Sequence, residues 1–344
     1  MKPLIAVAVS GGVDSLMAAA LLKNQGYPVF GIHFLTGYEP ENRDVAAVTD
    51  QLGIPLHVVD LADAFRTRVV EYFLQTYMVG KTPNPCLVCN PVVKFGILFE
   101  HARLLGADRL ATGHYARIVQ DAHQQPHLFM GVDRRKDQSY FLAFLTRHQL
   151  AWACFPLGEM KKSDVKELAV LEGLHPVTHK ESQDACFISS HRYTEFLADQ
   201  LGVVPSPGEI VDREGRVLGR HTGLHGYTIG QRRGINCPAA EPYYVLRLDT
   251  HKNRLVVGPR RDTLSSECRV QGINWIQAEP SDPMRVHTRV RYRHTAVPST
   301  LTPQPQQQAI VGFDAPQSAI TPGQGAVFYI GEEVIGGGWI CGDS

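Results

Sequence analysis

Three groups of residues in this chain could do covalent chemistry. The first is the string Ser10-Gly11-Gly12-Val13-Asp14-Ser15. Two glycines let the backbone turn tightly and bring its N–H groups up to an anion. A helix starting there adds positive potential. Ser10 and Ser15 offer hydroxyls to phosphate oxygens, with Ala8 and Val9 leading into the turn. Asp14 would repel a bare phosphate, so it is expected to share a Mg²⁺ ion with a pyrophosphate group. The string lacks the Gly-Lys-Ser/Thr of a Walker A loop and the spacing of the dinucleotide fingerprint. The second group is Cys86-Leu87-Val88-Cys89, whose spacing suits a zinc half-site, a redox pair or cluster ligands. No second Cys-x-x-Cys completes a four-cysteine zinc site. The third is Cys186. The remaining cysteines, Cys154, Cys237, Cys268 and Cys341, are scattered and read as packing residues.

These groups need a scaffold. Leu4–Val9 is a continuous apolar run, as a buried parallel strand would be. Val13–Gln25 carries apolar residues at helical spacing and stops at Gly26. Strands are expected over Tyr27–Phe34, Pro55–Asp60 and Asp108–Thr112. Helices are expected over Asn42–Leu52, Ala62–Met78 and Lys94–Leu105, and the proline-rich Lys81–Pro91 segment reads as a loop. This alternation predicts an α/β fold with a doubly wound parallel sheet. Phe34 ends one strand, where it suits either a nucleobase contact or the core. Gly113 and His114 follow another, the glycine allowing a nucleotide to approach closely. After about residue 195 glycine and proline become frequent and the segments short: Gly208–Val211, Tyr243–Asp249, Arg254–Val257, Arg285–Tyr292, Gln308–Phe313 and Ala326–Ile330. Two small β-rich domains are expected, with boundaries at 1–195, 196–265 and 266–344, and Thr302–Gln308 as a polar loop.

Composition sets outer limits. The 344 residues are 44% hydrophobic and 20% charged, which excludes a disordered chain, a coiled coil and a collagen-like fibre. No apolar run is long enough to span a bilayer, and the start lacks the form of a signal peptide. Seven cysteines do not make a disulfide framework. A cytoplasmic protein with reduced thiols and no membrane partner is expected. Charge balances at 34 basic and 34 acidic residues, so any nucleic acid must be met by local basic faces. One candidate is Arg285–His294, with Arg285, Arg289, Arg291 and Arg293, Tyr292 and no acid. Alternate arginines on a strand share a face, suited to RNA phosphate and base contact. Asp137-Gln138-Ser139 opens a helix, where N-capping is the plain role.

Read in order, further strings carry a resemblance. Thr82-Pro83-Asn84-Pro85, Cys89-Asn90, Lys94-Phe95-Gly96, Ala111-Thr112-Gly113-His114-Tyr115, Lys136-Asp137-Gln138-Ser139-Tyr140, Glu181-Ser182-Gln183, Cys186-Phe187-Ile188 and Thr228-Ile229-Gly230-Gln231-Arg232-Arg233-Gly234 follow the Ser10–Ser15 loop. The loop resembles that of the ATP pyrophosphatase (PP-loop) superfamily. The whole chain resembles the bacterial tRNA-specific 2-thiouridylases.

That resemblance implies sulfur insertion at C2 of the wobble uridine. Uridine O2 would attack the α-phosphate of ATP, a persulfide on Cys186 would supply sulfur, AMP would leave, and Cys89 would attack the persulfide. It implies ATP contacts along Ala8–Ser15 and at Phe34 and Gly113, and target-base contacts at Asn84, Pro85 and the residue after them. It implies tRNA contacts at His114, Asp137, Gln138, Ser139, Arg291, Tyr292 and Gln324. It also implies the anticodon arm of tRNA and a sulfur-donor protein, a cysteine desulfurase or relay protein, as partners. One position departs from the family pattern: Cys86 stands where Asp is usual. Three thiols, Cys86, Cys89 and Cys186, would then share one site, and three thiolates can ligate a 4Fe–4S cluster with one iron open for sulfide. Two sulfur carriers therefore stand as alternatives, a persulfide relay and a cluster. Two other readings compete: an ATP-dependent ligase or amidotransferase using the same loop, and a non-catalytic RNA-binding relative.

Overall fold

The computed structural model describes residues 2–39, 44–178, 185–188, 193–201 and 206–342. Its first layer is a parallel sheet of five strands: β1 (Ile5–Ala8), β2 (Val29–Leu35), β3 (Leu56–Asp60), β4 (Arg109–Ala111) and β7 (Ala153–Cys154), in the order β3-β2-β1-β4-β7. β1 shows why the sheet is covered twice. Ile5, Val7 and Val9 point to a core shared with helix α1 (Val13–Asn24), whereas Ala6 points to the opposite core, built on Phe30, Phe65, Phe73 and Phe99. The strand order reverses between β1 and β4, and a crevice at such a reversal is where doubly wound sheets bind ligands. The expected α/β class and parallel sheet are therefore observed.

The Lys81–Pro91 segment is not a loop throughout. Pro85–Cys89 is a helix with proline at its first position, where the missing N–H costs nothing. It continues as a π-helix over Asn90–Leu98 and as an α-helix over Phe99–Leu104. The expected Ala62–Met78 helix is continuous, with a π-helical stretch at Arg66–Val70. Of the expected Asn42–Leu52 helix, Ala46–Asp50 is helical; residues 42 and 43 lie outside the described residues.

Downstream, β8 (Gly208–Val211), β9 (Val217–His221), β10 (Tyr244–Asp249) and β11 (Arg254–Gly258) form a four-stranded sheet, and β12 (Leu264–Trp275) to β17 (Glu333–Ile340) form a larger one. Thr302–Gln308 is mostly strand, not loop: β14 (Val297–Gln304) and β15 (Gln308–Ser318) meet in a tight turn with Gln306 and Gln307 at positive φ. The expected Arg285–Tyr292 strand ends at Arg289, β13 being Met284–Arg289. A hairpin from the first half, β5 (Ala116–Gln120) and β6 (Pro126–Met130), joins the larger sheet by pairing with β17.

Candidate active site

The Ser10–Ser15 turn lies at the sheet's reversal point. Ser15 is buried and its hydroxyl ties the turn, accepting from the Ser10 N–H at 3.1 Å and donating to the Gly12 carbonyl at 3.0 Å. Gly113 seats the end of β4 against this turn: a Cβ there would lie 2.7 Å from the Asp14 carbonyl carbon. That contact gives Gly113 a packing reason beside the expected nucleotide approach. Val9 is buried within the sheet, and Phe34 is half-buried near the end of β2, packed against the core.

Asp14 has partners that its sequence neighbourhood does not reveal. The Lys162 ammonium donates to its two carboxylate oxygens at 2.6 and 2.7 Å, and the Tyr115 hydroxyl donates at 2.7 Å. Lys162 is only 6% exposed, and its ammonium lies over the Tyr115 ring. The cation beside Asp14 in this structure is therefore an ammonium. Among the described residues no group of three His, Cys, Asp or Glu is arranged to hold a metal ion.

The cysteines approach the same edge from another element. Cys86 is half-buried and Cys89 buried on the Pro85–Cys89 helix, and Cys186 is exposed. Burial pushes the Cys86 thiol up to about 11, with Cys186 adding to the rise and the Lys94 ammonium opposing it. Burial pushes Cys89 up to about 12, opposed by Lys94 and reinforced by Cys186 and Cys86. The three sulfurs thus feel one another, but as placed they do not gather into a cluster ligand set. Phe187 anchors Cys186 from the next position: it is 2% exposed, with Phe65, Phe73, Tyr38 and Phe196 around it. Eight residues upstream, Val177 and Thr178 donate backbone N–H groups to the Gly11 carbonyl. Eight residues span at most about 28 Å, so Cys186 is tethered to the phosphate turn itself. Glu181-Ser182-Gln183 lies outside the described residues.

Several expected RNA contacts are occupied internally. His114 is buried between Phe95 and Phe155, with Nδ1 2.7 Å from the Thr112 hydroxyl. Burial holds its pKa well below the ordinary 6.5, with Lys94 lowering it further. Asp137 and Ser139 are also buried. Asp137 accepts the backbone N–H groups of Gly131 and Ser139 and pairs with Arg289 at 2.6 Å, while Gln138 accepts from the Tyr115 N–H. An exposed tRNA contact at Asp137 or Ser139 is not what this arrangement offers, because both side chains fill the seam between the first layer and the larger sheet. Gln324 donates to the carbonyls of Thr82 and Pro83 and accepts from Asn84, which is itself buried. Pro85 begins the cysteine helix. The single arginine face expected over Arg285–His294 is divided: Arg285 pairs with Asp314 and Arg289 with Asp137, leaving Arg291 and Arg293 exposed. Tyr292 packs on Phe141 at 4.3 Å between ring centres.

A doubly wound sheet with a glycine turn at its reversal point, tethered to a thiol trio, defines a nucleotide-using α/β enzyme of the PP-loop kind. Matching family models are described as the tRNA methyl transferase HUP domain over residues 3–190, its PRC-barrel domain over 194–259 and the aminomethyltransferase β-barrel domain over 265–340. A relative from Desulfosudis oleivorans, named tRNA-specific 2-thiouridylase MnmA, is 50% identical over 98% of this chain and 95% of its own. A relative of the same name from Nostoc punctiforme is 45% identical over 98% of each chain. The chain belongs to the tRNA-specific 2-thiouridylase family. A solved 4-thiouridine synthetase–RNA complex with bound ATP is 20% identical, covering 58% of this chain and 50% of that one, with a TM-score of 0.35.

Proposed function

We propose that the protein is a tRNA-uridine 2-sulfurtransferase that uses ATP to thiolate C2 of the wobble uridine. A carbonyl oxygen is a poor leaving group, and an AMP ester is a good one. Uridine O2 therefore attacks the α-phosphorus of ATP, and pyrophosphate departs into the Ser10–Ser15 turn, where backbone N–H groups and the start of α1 receive negative charge. The terminal sulfur of a Cys186 persulfide then forms a bond to C2 as the C2–O bond to AMP breaks. The Cys89 thiolate attacks the Cys186 sulfur. A Cys89–Cys186 disulfide forms, and the electron pair of the broken S–S bond passes to the sulfur now on C2. An external thiol reductant reopens the disulfide, and a sulfur-donor protein reloads Cys186.

The observation that carries this reading is the tether: Val177 and Thr178 grip the phosphate turn while Cys186, eight residues on, acts electrostatically on Cys86 and Cys89. The sulfur carrier is read as a persulfide, because that route needs only the Cys89 and Cys186 pair; a cluster on Cys86, Cys89 and Cys186 is the alternative carrier. The tRNA is met by the exposed Arg291 and Arg293. The test is a single-turnover assay with tRNA, ATP and persulfide-loaded protein. Cys186→Ser should release pyrophosphate and leave the wobble nucleoside unthiolated. A Cys186→Ser protein that still thiolates, or an anaerobic preparation whose activity follows about four irons per chain, would overturn the relay.

A further inference from the structure

One motif of the sequence has no part in the relay: Thr228-Ile229-Gly230-Gln231-Arg232-Arg233-Gly234. It lies ahead of β10 and is tied to it. The Gly230 N–H donates to the Val245 carbonyl at 2.8 Å, and the Val245 N–H donates to the Gln231 carbonyl at 2.9 Å. The Gln231 side chain straps the loop from within, accepting from the Thr228 N–H at 3.0 Å and donating to the Arg233 carbonyl at 2.8 Å. Arg232 and Arg233 stand exposed on this loop. Their backbone is set before any partner arrives, so little ordering cost remains to be met on binding.

The loop is seated on the larger sheet at one point, and two further basic segments meet there. Ala319, just past β15, has a φ of 56°, a left-handed conformation that side chains rarely adopt. Its Cβ fits against Gly230, where a Cβ would stand 2.3 Å from it. Backbone strain of this kind persists where surrounding contacts fix it. Here the Ala319 N–H donates to the Thr263 carbonyl at 3.0 Å. Thr263 closes the short helix Arg260–Thr263. Its hydroxyl donates to the Arg260 carbonyl at 2.7 Å and accepts from the Ser318 hydroxyl at 2.7 Å. The Ser318 carbonyl in turn accepts from Arg291 at 3.4 Å. Arg232 is two residues, about 8 Å at most between Cα atoms, from the glycine that touches Ala319.

The charges converge with the backbone. Arg260 is exposed, and among the described residues no ion pair engages Arg232, Arg233 or Arg260. The acids of these segments already have partners: Glu241 pairs with Arg261 at 3.1 Å and Asp262 with Arg213 at 3.6 Å. On a chain of balanced charge, unpaired cations gathered from three segments mark a face for a polyanion. Guanidinium forks match phosphate oxygens in shape as well as charge. Continuity with Arg291 and Arg293 favours RNA over an acidic protein as the occupant.

We propose that Arg232, Arg233 and Arg260 extend the Arg291–Arg293 surface into one phosphate-binding face for tRNA, assembled across the two sheets of the second half on the Ser318–Ala319 turn. The inference rests on tRNA being the substrate, as proposed above. It assigns these arginines to the RNA backbone and gives them no part in the chemistry at the wobble base.

The test uses the full chain and an unmodified tRNA transcript carrying a wobble uridine. Filter binding is measured across salt concentration, with single-turnover thiolation and urea unfolding alongside. The slope of log affinity against log salt should become shallower by about two for Arg232→Ala with Arg233→Ala, and by about three when Arg260→Ala is added. Replacing the same three arginines by lysine should restore the wild-type slope. Arg261→Ala removes a cation already paired with Glu241 and should leave the slope unchanged. Urea midpoints should stay at the wild-type value, because the three side chains are exposed. A triple alanine variant with the wild-type slope would overturn the face and leave these cations to an acidic protein partner. An affinity loss equal at every salt concentration would overturn it too, since no phosphate contact would have been removed. Wild-type protein that neither binds nor thiolates the transcript would overturn the functional reading instead.

Discussion

At the scale of single residues, the contact between Lys162 and Asp14 asks for an explanation. A lysine only 6% exposed is held by a carboxylate on the phosphate turn. The pair neutralises an acid that would otherwise repel a triphosphate, and it sets an ammonium beside the turn proposed to receive the leaving pyrophosphate. Removing a preorganised donor of this kind costs about 10²–10³ in rate. Lys162→Met is therefore expected to slow tRNA-dependent pyrophosphate release by about that factor, with tRNA affinity unchanged in a filter-binding assay; equal losses in both measurements would make the residue merely structural. Asp14 was legible in the sequence because it sits inside a contiguous glycine string. Lys162 was not: it lies 148 residues away, and Lys161-Lys162 looks like any pair of surface charges until the fold buries the second. Tyr115 was visible as part of a motif, but its hydroxyl bond to Asp14 needed three dimensions.

At the scale of elements, the alternation of apolar strands and helices was readable because the inner strands β1 and β2 are largely buried on both faces. The cysteine segment was misread because prolines at 83, 85 and 91 look like breakers. Pro85 opens a helix, and Pro91 sits where the π-helix has begun. Winding of that kind depends on tertiary partners such as Gln149, which no local pattern announces. Gln149→Ala would leave the Pro91 and Phe95 carbonyls without their donor, and urea unfolding should report a loss of about 1–3 kcal/mol. The strand end at β4 carries a pH effect of definite sign. His114 is held below its ordinary 6.5, so the unfolded chain takes up a proton before the folded one does. Stability from this group is full above pH 6.5 and falls as pH drops below it. Urea midpoints at pH 7.5 and 5 should therefore differ, and His114→Gln should narrow the difference; an unchanged gap would remove His114 as its source.

At the scale of the whole molecule, the β-rich second half is bound to the catalytic layer by contacts that also shape the site. Gln324 and the Pro322 carbonyl hold the Thr82–Asn84 approach to the cysteine helix, the β5–β6 hairpin crosses into the larger sheet, and Arg289 reaches back to Asp137. The pair is almost dry, at 11% and 2% side-chain exposure, so removing one partner leaves a buried charge and should cost about 3–5 kcal/mol. Arg289→Met should show that loss in urea, and its pyrophosphate release should fall with it if the seam positions the site. This use of Arg289 and of Arg285 changes what the molecule can offer to RNA. A strand read as one arginine face supplies two outward arginines, Arg291 and Arg293, on a protein with no net charge. This segment can then add only a few phosphate contacts to binding, each releasing roughly one counterion. The slope of log affinity against log salt should fall by about one for Arg291→Ala and about two for the double variant with Arg293→Ala. Arg285→Ala, which breaks a pair with Asp314 and removes no free cation, should leave that slope where it is. A double variant with the wild-type slope would place the tRNA on another face.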